Sequence, residues 1–162
     1  MPEVFLLVGL TGAGKTTYAK RVLEPAGVVR LSVAETIYAR HGRYGIDYPT
    51  ETYFDLHASA EAEVRERMAD ELAKGHDVAL DLGAWTRDDR DEWKRRIEKA
   101  GARWRLLYFP ASRAELWQRL AERNRLEGAD ALRVTESDVD GFYARFEEPT
   151  DEGEETIQPG AF

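Results

Sequence analysis

The chain has 162 residues, 43% of them hydrophobic and 33% charged, with a formal net charge of −8 and no cysteine. That length suits one domain with a real core over residues 1–162, so a nucleotide and any second substrate would share it. The composition excludes disulfides, thiolate nucleophiles and cysteine-ligated zinc, argues against a protein that grips long nucleic-acid backbones, and offers neither a bilayer-spanning stretch nor a secretory signal pattern, which makes a cytoplasmic location the default.

The apolar run Val4-Phe5-Leu6-Leu7-Val8 predicts a buried first strand over residues 4–9. It runs straight into Gly9-Leu10-Thr11-Gly12-Ala13-Gly14-Lys15-Thr16, which fits G-x-x-x-x-G-K-[ST] at every fixed position. In that setting the glycines let successive backbone N–H groups turn inward around a phosphate. Lys15 reaches the β- and γ-oxygens, and the Thr16 hydroxyl is placed for Mg²⁺. A helix beginning near Gly14 points its positive end at the same anion and is expected to stop before Pro25. The residues expected to cradle the nucleotide are Gly9, Thr11, Gly12, Ala13, Gly14, Lys15, Thr16 and Thr17.

A second short strand is expected over 28–31, followed by a segment at 33–41 and a loop containing Gly42, Gly45 and Pro49. Ala60, Val64, Met68 and Leu72, at steps of four, mark a long helix stopped by Gly75. Residues 77–82 form the third expected strand. Thr86 with Asp89 opens a helix that ends near Gly101. Residues 103–109 are the fourth strand, Ser112 with Glu115 caps the next helix, and Thr135 with Asp138 opens the last one, which Pro149 closes. Strands separated by helices of this length imply βαβ units and a parallel sheet. The acidic stretch 147–155 reads as a solvated surface segment.

In such a sheet ligands lie beyond the carboxyl ends of the strands. The residues there are Ser32 and Glu35 after the second strand, the segment from Asp81 to Arg87 after the third, and the helix bearing Arg113, Arg119 and Arg123 after the fourth. Asp81 closes an apolar run, an arrangement suited to holding Mg²⁺ or its waters. Arg119 and Arg123 share one helical face, which suits a phosphate clamp; an ion-pair ladder with Glu115 and Glu122 would read the same way. Tyr44, Tyr48 and Tyr53 are candidates to line an acceptor pocket. His41, His57 and His76 lack ligand spacing, and Trp85, Trp93, Trp104 and Trp117 read as packing residues.

Taken together, the phosphate loop, the segment Leu80-Asp81-Leu82-Gly83-Ala84-Trp85-Thr86-Arg87, the run from Glu115 to Asn124 and Phe146-Glu147-Glu148-Pro149 resemble the P-loop kinases grouped with polynucleotide 5′-hydroxyl kinase, chloramphenicol phosphotransferase and zeta toxin. The resemblance implies an α/β, three-layer P-loop NTPase fold: a parallel sheet of order 2-3-1-4-5 flanked by helices, a helical lid over about 119–134 with Arg119 and Arg123 at its arginine positions, and an acidic tail over about 147–162. Members carry an aspartate base after the second strand. Here that position is Ala34, so Glu35 or Asp81 would have to replace it, or the usual transfer is lost.

The resulting expectation is an ATP- and Mg²⁺-dependent kinase of a small hydroxyl-bearing acceptor. Lys15, Asp81, Glu35, Arg119 and Arg123 would be its catalytic residues, and Thr16 and Asp81 its metal-binding residues. A polynucleotide 5′-kinase and a non-catalytic ATP switch are the alternatives, and no membrane is involved.

Overall fold

The structure, a computed structural model, describes residues 1–10, 12–42, 46–126 and 135–158, with the side chains of 50, 54 and 123–126 outside that description. Among these residues five parallel strands form one sheet in the order β2-β3-β1-β4-β5, as the sequence resemblance implies. They are β1 (Glu3–Val8), β2 (Val29–Ser32), β3 (Val78–Gly83), β4 (Arg103–Tyr108) and β5 (Glu154–Thr156). β1 is central, and Val4 to Val8 are buried almost completely, which is why it reads as an unbroken apolar run instead of an alternating one.

Among the described residues six α-helices accompany the sheet: α1 (Lys15–Tyr18), α2 (Val33–His41), α3 (Tyr53–Ala73), α4 (Arg87–Lys99), α5 (Arg113–Leu126) and α6 (Glu136–Arg145). Alternate residues of β1 serve opposite faces. Val4, Leu6 and Val8 meet Ile37 of α2, the Ala60, Val64, Met68 and Leu72 stripe of α3, and Trp93 and Ile97 of α4. Phe5 and Leu7 meet Ala19 and Leu23, which follow α1. A third cluster, built from Leu10, Leu116, Leu120 and Val139, joins the loop after β1 to α5 and α6.

Local signals place most helix ends. Ser32, Thr86 and Thr135 each accept from the backbone N–H three residues on, and Thr135 with Asp138 makes a complete capping box. The helix from Gly14 ends before Pro25 as expected: α1 passes into a π-helical stretch, Ala19–Leu23, and a separate 3₁₀ turn, Glu24–Ala26, follows before Gly27 at φ 90°. Proline fits in the first turn of that new element, where its missing N–H is not needed. One sequence expectation is corrected: the acidic stretch is more than a solvated segment, since it contains β5 and the buried Glu152.

Candidate functional site

The loop between β1 and α1 is shaped by close approaches. A Cβ on Gly9 would stand 3.0 Å from the Phe109 carbonyl oxygen, and one on Gly12, at φ +89°, would stand 3.2 Å from Leu116 Cδ1 and Leu120 Cδ2. Gly12 therefore lets α5 seat directly on the loop. Gly14, at φ 106°, is the N-cap of α1, a conformation open to glycine at little cost. Ala13 is buried, and Thr16 and Thr17 are exposed on α1. Thr11 lies outside the described residues.

The half-buried Lys15 donates to the Gly9 carbonyl oxygen at 2.7 Å. Burial pushes its ammonium below the ordinary value, and Asp81 opposes that shift only in part. A desolvated cation with spare N–H donors favours an anion beside it.

Asp81 sits where β3 departs from regular pairing. Leu7 is opposite Asp81, but Val8 is opposite Gly83, so Leu82 is the extra residue of a bulge. The buried Asp81 carboxylate accepts from Thr16 Oγ1 at 2.6 Å and from Arg30 Nη1 at 3.1 Å, both on Oδ2. A hydroxyl and a carboxylate held together are hard oxygen donors, a chemistry that fits Mg²⁺ retaining most of its waters. No cluster of three or more His, Asp or Glu able to hold a metal occurs among the described residues.

Arg30 was not singled out in the sequence. Its side chain is only 7% exposed and divides between Asp81, Glu35 at 2.6 Å and Glu24 at 3.3 Å. Burial disfavours its charge, yet Glu35 and Asp81 outweigh that and raise its pKa. The available signal was an arginine inside Val28-Val29-Arg30-Leu31, since a charge in a buried strand requires partners. Glu35 occupies the third position of a regular α2, its N–H on Ser32 Oγ and its exposed carboxylate on Arg30. Ala34 precedes it in the same first turn.

From the other side, Arg119 of α5 donates to the Gly12 carbonyl oxygen at 3.2 Å. It makes no ion pair with Glu115 among the described residues. Arg123 belongs to α5, but its side chain lies outside the described residues, as do 127–134 of the expected lid. Arg113 points away, to Asp140 and Glu136 of α6. Tyr44 also lies outside the described residues; Tyr48 and Tyr53 are half-buried against the α3 face of the core.

The segment after β3 completes the surroundings of the loop. Gly83 (φ 91°) and Ala84 (φ 46°) both adopt left-handed backbone, which costs a residue with a Cβ about 1–2 kcal/mol. The fully buried Arg90 holds this turn. Its Nη1 donates to the Ala84 and Trp85 carbonyl oxygens at 2.9 and 3.1 Å, while Nε and Nη2 form a two-pronged pair with Glu152 at 2.8 and 3.0 Å. Lys94 donates to the Glu152 carbonyl oxygen, and Glu147 N–H to Trp85 O. In the sequence residue 152 reads as surface, because the partner that makes its burial tolerable lies 62 positions away.

The sequence model of the AAA domain family matches residues 4–149. No curated protein matches the chain. Among solved structures, a candidate kinase from Chloroflexus aurantiacus J-10-fl is 18% identical, with 97% of this chain and 88% of that one covered at a TM-score of 0.75. A gluconokinase from Sinorhizobium meliloti 1021 is 15% identical, with coverage of 98% and 83% and a TM-score of 0.66. A chain of the Pnkp1/Rnl/Hen1 RNA repair complex is 17% identical, with coverage of 89% of this chain and 43% of that one and a TM-score of 0.70. At these identities the likeness is one of fold.

Proposed function

We propose that this chain, which belongs to the AAA-domain family whose model spans residues 4–149, is a cytoplasmic, ATP-dependent kinase that phosphorylates a hydroxyl of a small molecule. The observation that carries the reading is the convergence of Lys15, Thr16, Asp81 and Arg119 on one glycine-rich loop. Residues 9–17 would hold the triphosphate, with Lys15 on its β- and γ-oxygens. Thr16 and Asp81 would hold Mg²⁺, which supplies charge neutralisation across those oxygens. Arg119 and Arg123 would face the charge that develops on the transferring group.

In the reaction the bond from the γ-phosphorus to the β–γ bridging oxygen breaks and its electron pair leaves with ADP. A new bond forms to the acceptor oxygen, and the hydroxyl proton passes to a carboxylate or to solvent. Because the transition state is loose, little proton removal is needed early, so the alanine at 34 is compatible with turnover. Asp81 is the better placed of the two carboxylates. It touches Thr16 within the loop region, whereas Glu35 is directed to Arg30 from a regular helix. Asp81→Asn is therefore expected to lower transfer about 10²- to 10⁴-fold, and Glu35→Gln less, with nucleotide affinity changed little in either. Steady-state ADP release measured on both variants checks the ranking, and a larger loss in Glu35→Gln reverses it.

No helix among the described residues is long and apolar enough to cross a membrane. The acceptor class is tested by screening hydroxyl-bearing metabolites for acceptor-dependent ADP release. The net charge of −8 favours a small acceptor over a polynucleotide, and salt separates them. Affinity for a small acceptor is expected to change little with ionic strength, whereas single-stranded nucleic acid gives log K falling against log[salt] by about 0.7 per phosphate contacted. Efficient phosphorylation of a 5′-hydroxyl oligonucleotide overturns the small-molecule assignment. ATP binding without turnover on any acceptor leaves a nucleotide switch as the better description.

A further inference from the structure

Trp85 reads in the sequence as a packing residue, yet its position is governed by a costly piece of backbone. The bulge at Leu82 and the left-handed Gly83 and Ala84 turn the chain back on itself, and Arg90 clamps both carbonyls of the turn. The indole is thereby folded over the end of β3. A Cβ on Gly83 would stand 3.1 Å from Trp85 Nε1, 3.2 Å from Trp85 Cδ1 and 3.8 Å from Lys15 Nζ. With no side chain on Gly83 the indole closes directly onto the backbone, which brings its N–H and the Lys15 ammonium to the same side of that residue.

The rest of the ring is held in place from behind. Phe142 of α6 packs against it with centroids 5.4 Å apart, and the Arg145 guanidinium stands 5.6 Å over it. The indole is half-buried, and no described residue accepts from its N–H.

We propose that Trp85 is a substrate-contacting residue: its indole N–H donates to an oxygen of the γ-phosphoryl group beside the Lys15 ammonium. The inference rests on the nucleotide-site reading above and adds a donor dedicated to the group transferred. Because an ADP has no γ-phosphoryl group, the contact distinguishes the triphosphate from the diphosphate. Strain concentrated at such a turn, and clamped by a buried arginine, is the pattern expected of a position kept for what it holds rather than for stability.

The test compares Trp85→Phe with the wild-type chain by calorimetric titration with ADP and with a non-hydrolysable ATP analogue bearing an imido β–γ bridge, both with Mg²⁺. Phenylalanine keeps a ring on Phe142 and removes the N–H. Affinity for the analogue is expected to fall about ten- to hundredfold, the range for a lost hydrogen bond to a charged group, with ADP affinity unchanged. The ADP measurement also reports that the variant is folded. Phe142→Leu keeps the N–H but removes the ring behind it, and is expected to show the same selectivity in smaller measure. Equal loss for both nucleotides, or no loss for either, overturns the proposal. A wild-type chain that binds neither nucleotide overturns the nucleotide-site reading and this inference with it.

Discussion

Lys15→Ala is expected to abolish measurable phosphoryl transfer and to weaken ATP binding, with the fold left intact. The ammonium lies against the Gly9 carbonyl and close to Asp81, and no core cluster includes it. Its removal deletes a cation from the loop without opening a cavity in the core. Hydrogen bonds to charged groups contribute about 1.5–3 kcal/mol each, so losing two of them to phosphate oxygens corresponds to about 10²- to 10⁴-fold. The loop backbone and Arg119 remain, so some residual ADP affinity is expected. Titration with ATP, together with turnover on whichever acceptor the screen identifies, measures the effect. Unchanged turnover would sink the assignment of this loop to the transferred phosphate, whatever its sequence.

Arg90→Met is expected to be the most destabilising single change at a polar position. The guanidinium is completely buried and satisfies the Glu152 carboxylate and two backbone carbonyls at once. Removing one partner of such a pair leaves a buried, uncompensated charge and costs about 3–5 kcal/mol. For a chain of this size that lowers the melting temperature by about 10 °C. The effect has a definite pH dependence. Burial works against the charged form of Glu152, but the hydrogen bonds and charge of Arg90 outweigh it, so the carboxyl sits below its ordinary value of 4.5.

A folded value below the unfolded one means the pair stabilises fully above about pH 4.5, and that contribution disappears as pH falls through the folded value. In Arg90→Met the abandoned carboxyl takes up a proton more readily. The gap between wild-type and variant melting curves is therefore wide at pH 7 and narrows toward pH 4. Arg90→Met combined with Glu152→Leu is expected to regain stability, because an apolar replacement of both partners removes the stranded charge. It does not restore the clamp on Ala84 and Trp85, so the selectivity for triphosphate expected of Trp85 stays impaired. A melting shift of about 2 °C or less in the single variant would show that the pair is incidental.

The same pair explains why the acidic stretch was misread. Glu147, Glu148, Asp151, Glu152, Glu154 and Glu155 crowd together in the sequence, and mutual repulsion normally keeps such a run in water. Each apparent exception has a distant cation. Arg90 takes Glu152, Arg105 takes Glu155 at 2.7 Å, and β5 then pairs along β4. A three-residue strand has too little pattern of its own to be recognised. Arg30 escaped for the converse reason, as one charge in an apolar run whose partners, Asp81 and Glu35, come from other elements.

What the sequence determined by itself was whatever rests on neighbours in the chain. The continuous apolar run of β1, the glycines and lysine of the loop, the four-residue stripe of α3 and the caps at Thr86, Ser112 and Thr135 depend on spacings of a few residues. Backbone geometry converts those spacings into structure with little outside help. The parallel sheet and the phosphate-loop motif follow from them. The tertiary structure alone decided which polar groups meet. Arg30 and Asp81 are 51 positions apart, Arg90 and Glu152 are 62 apart, and Arg119 and Gly12 are 107 apart. A buried charge is tolerable only where a partner arrives with the right geometry. That arrival depends on how whole elements pack, which local periodicity does not encode.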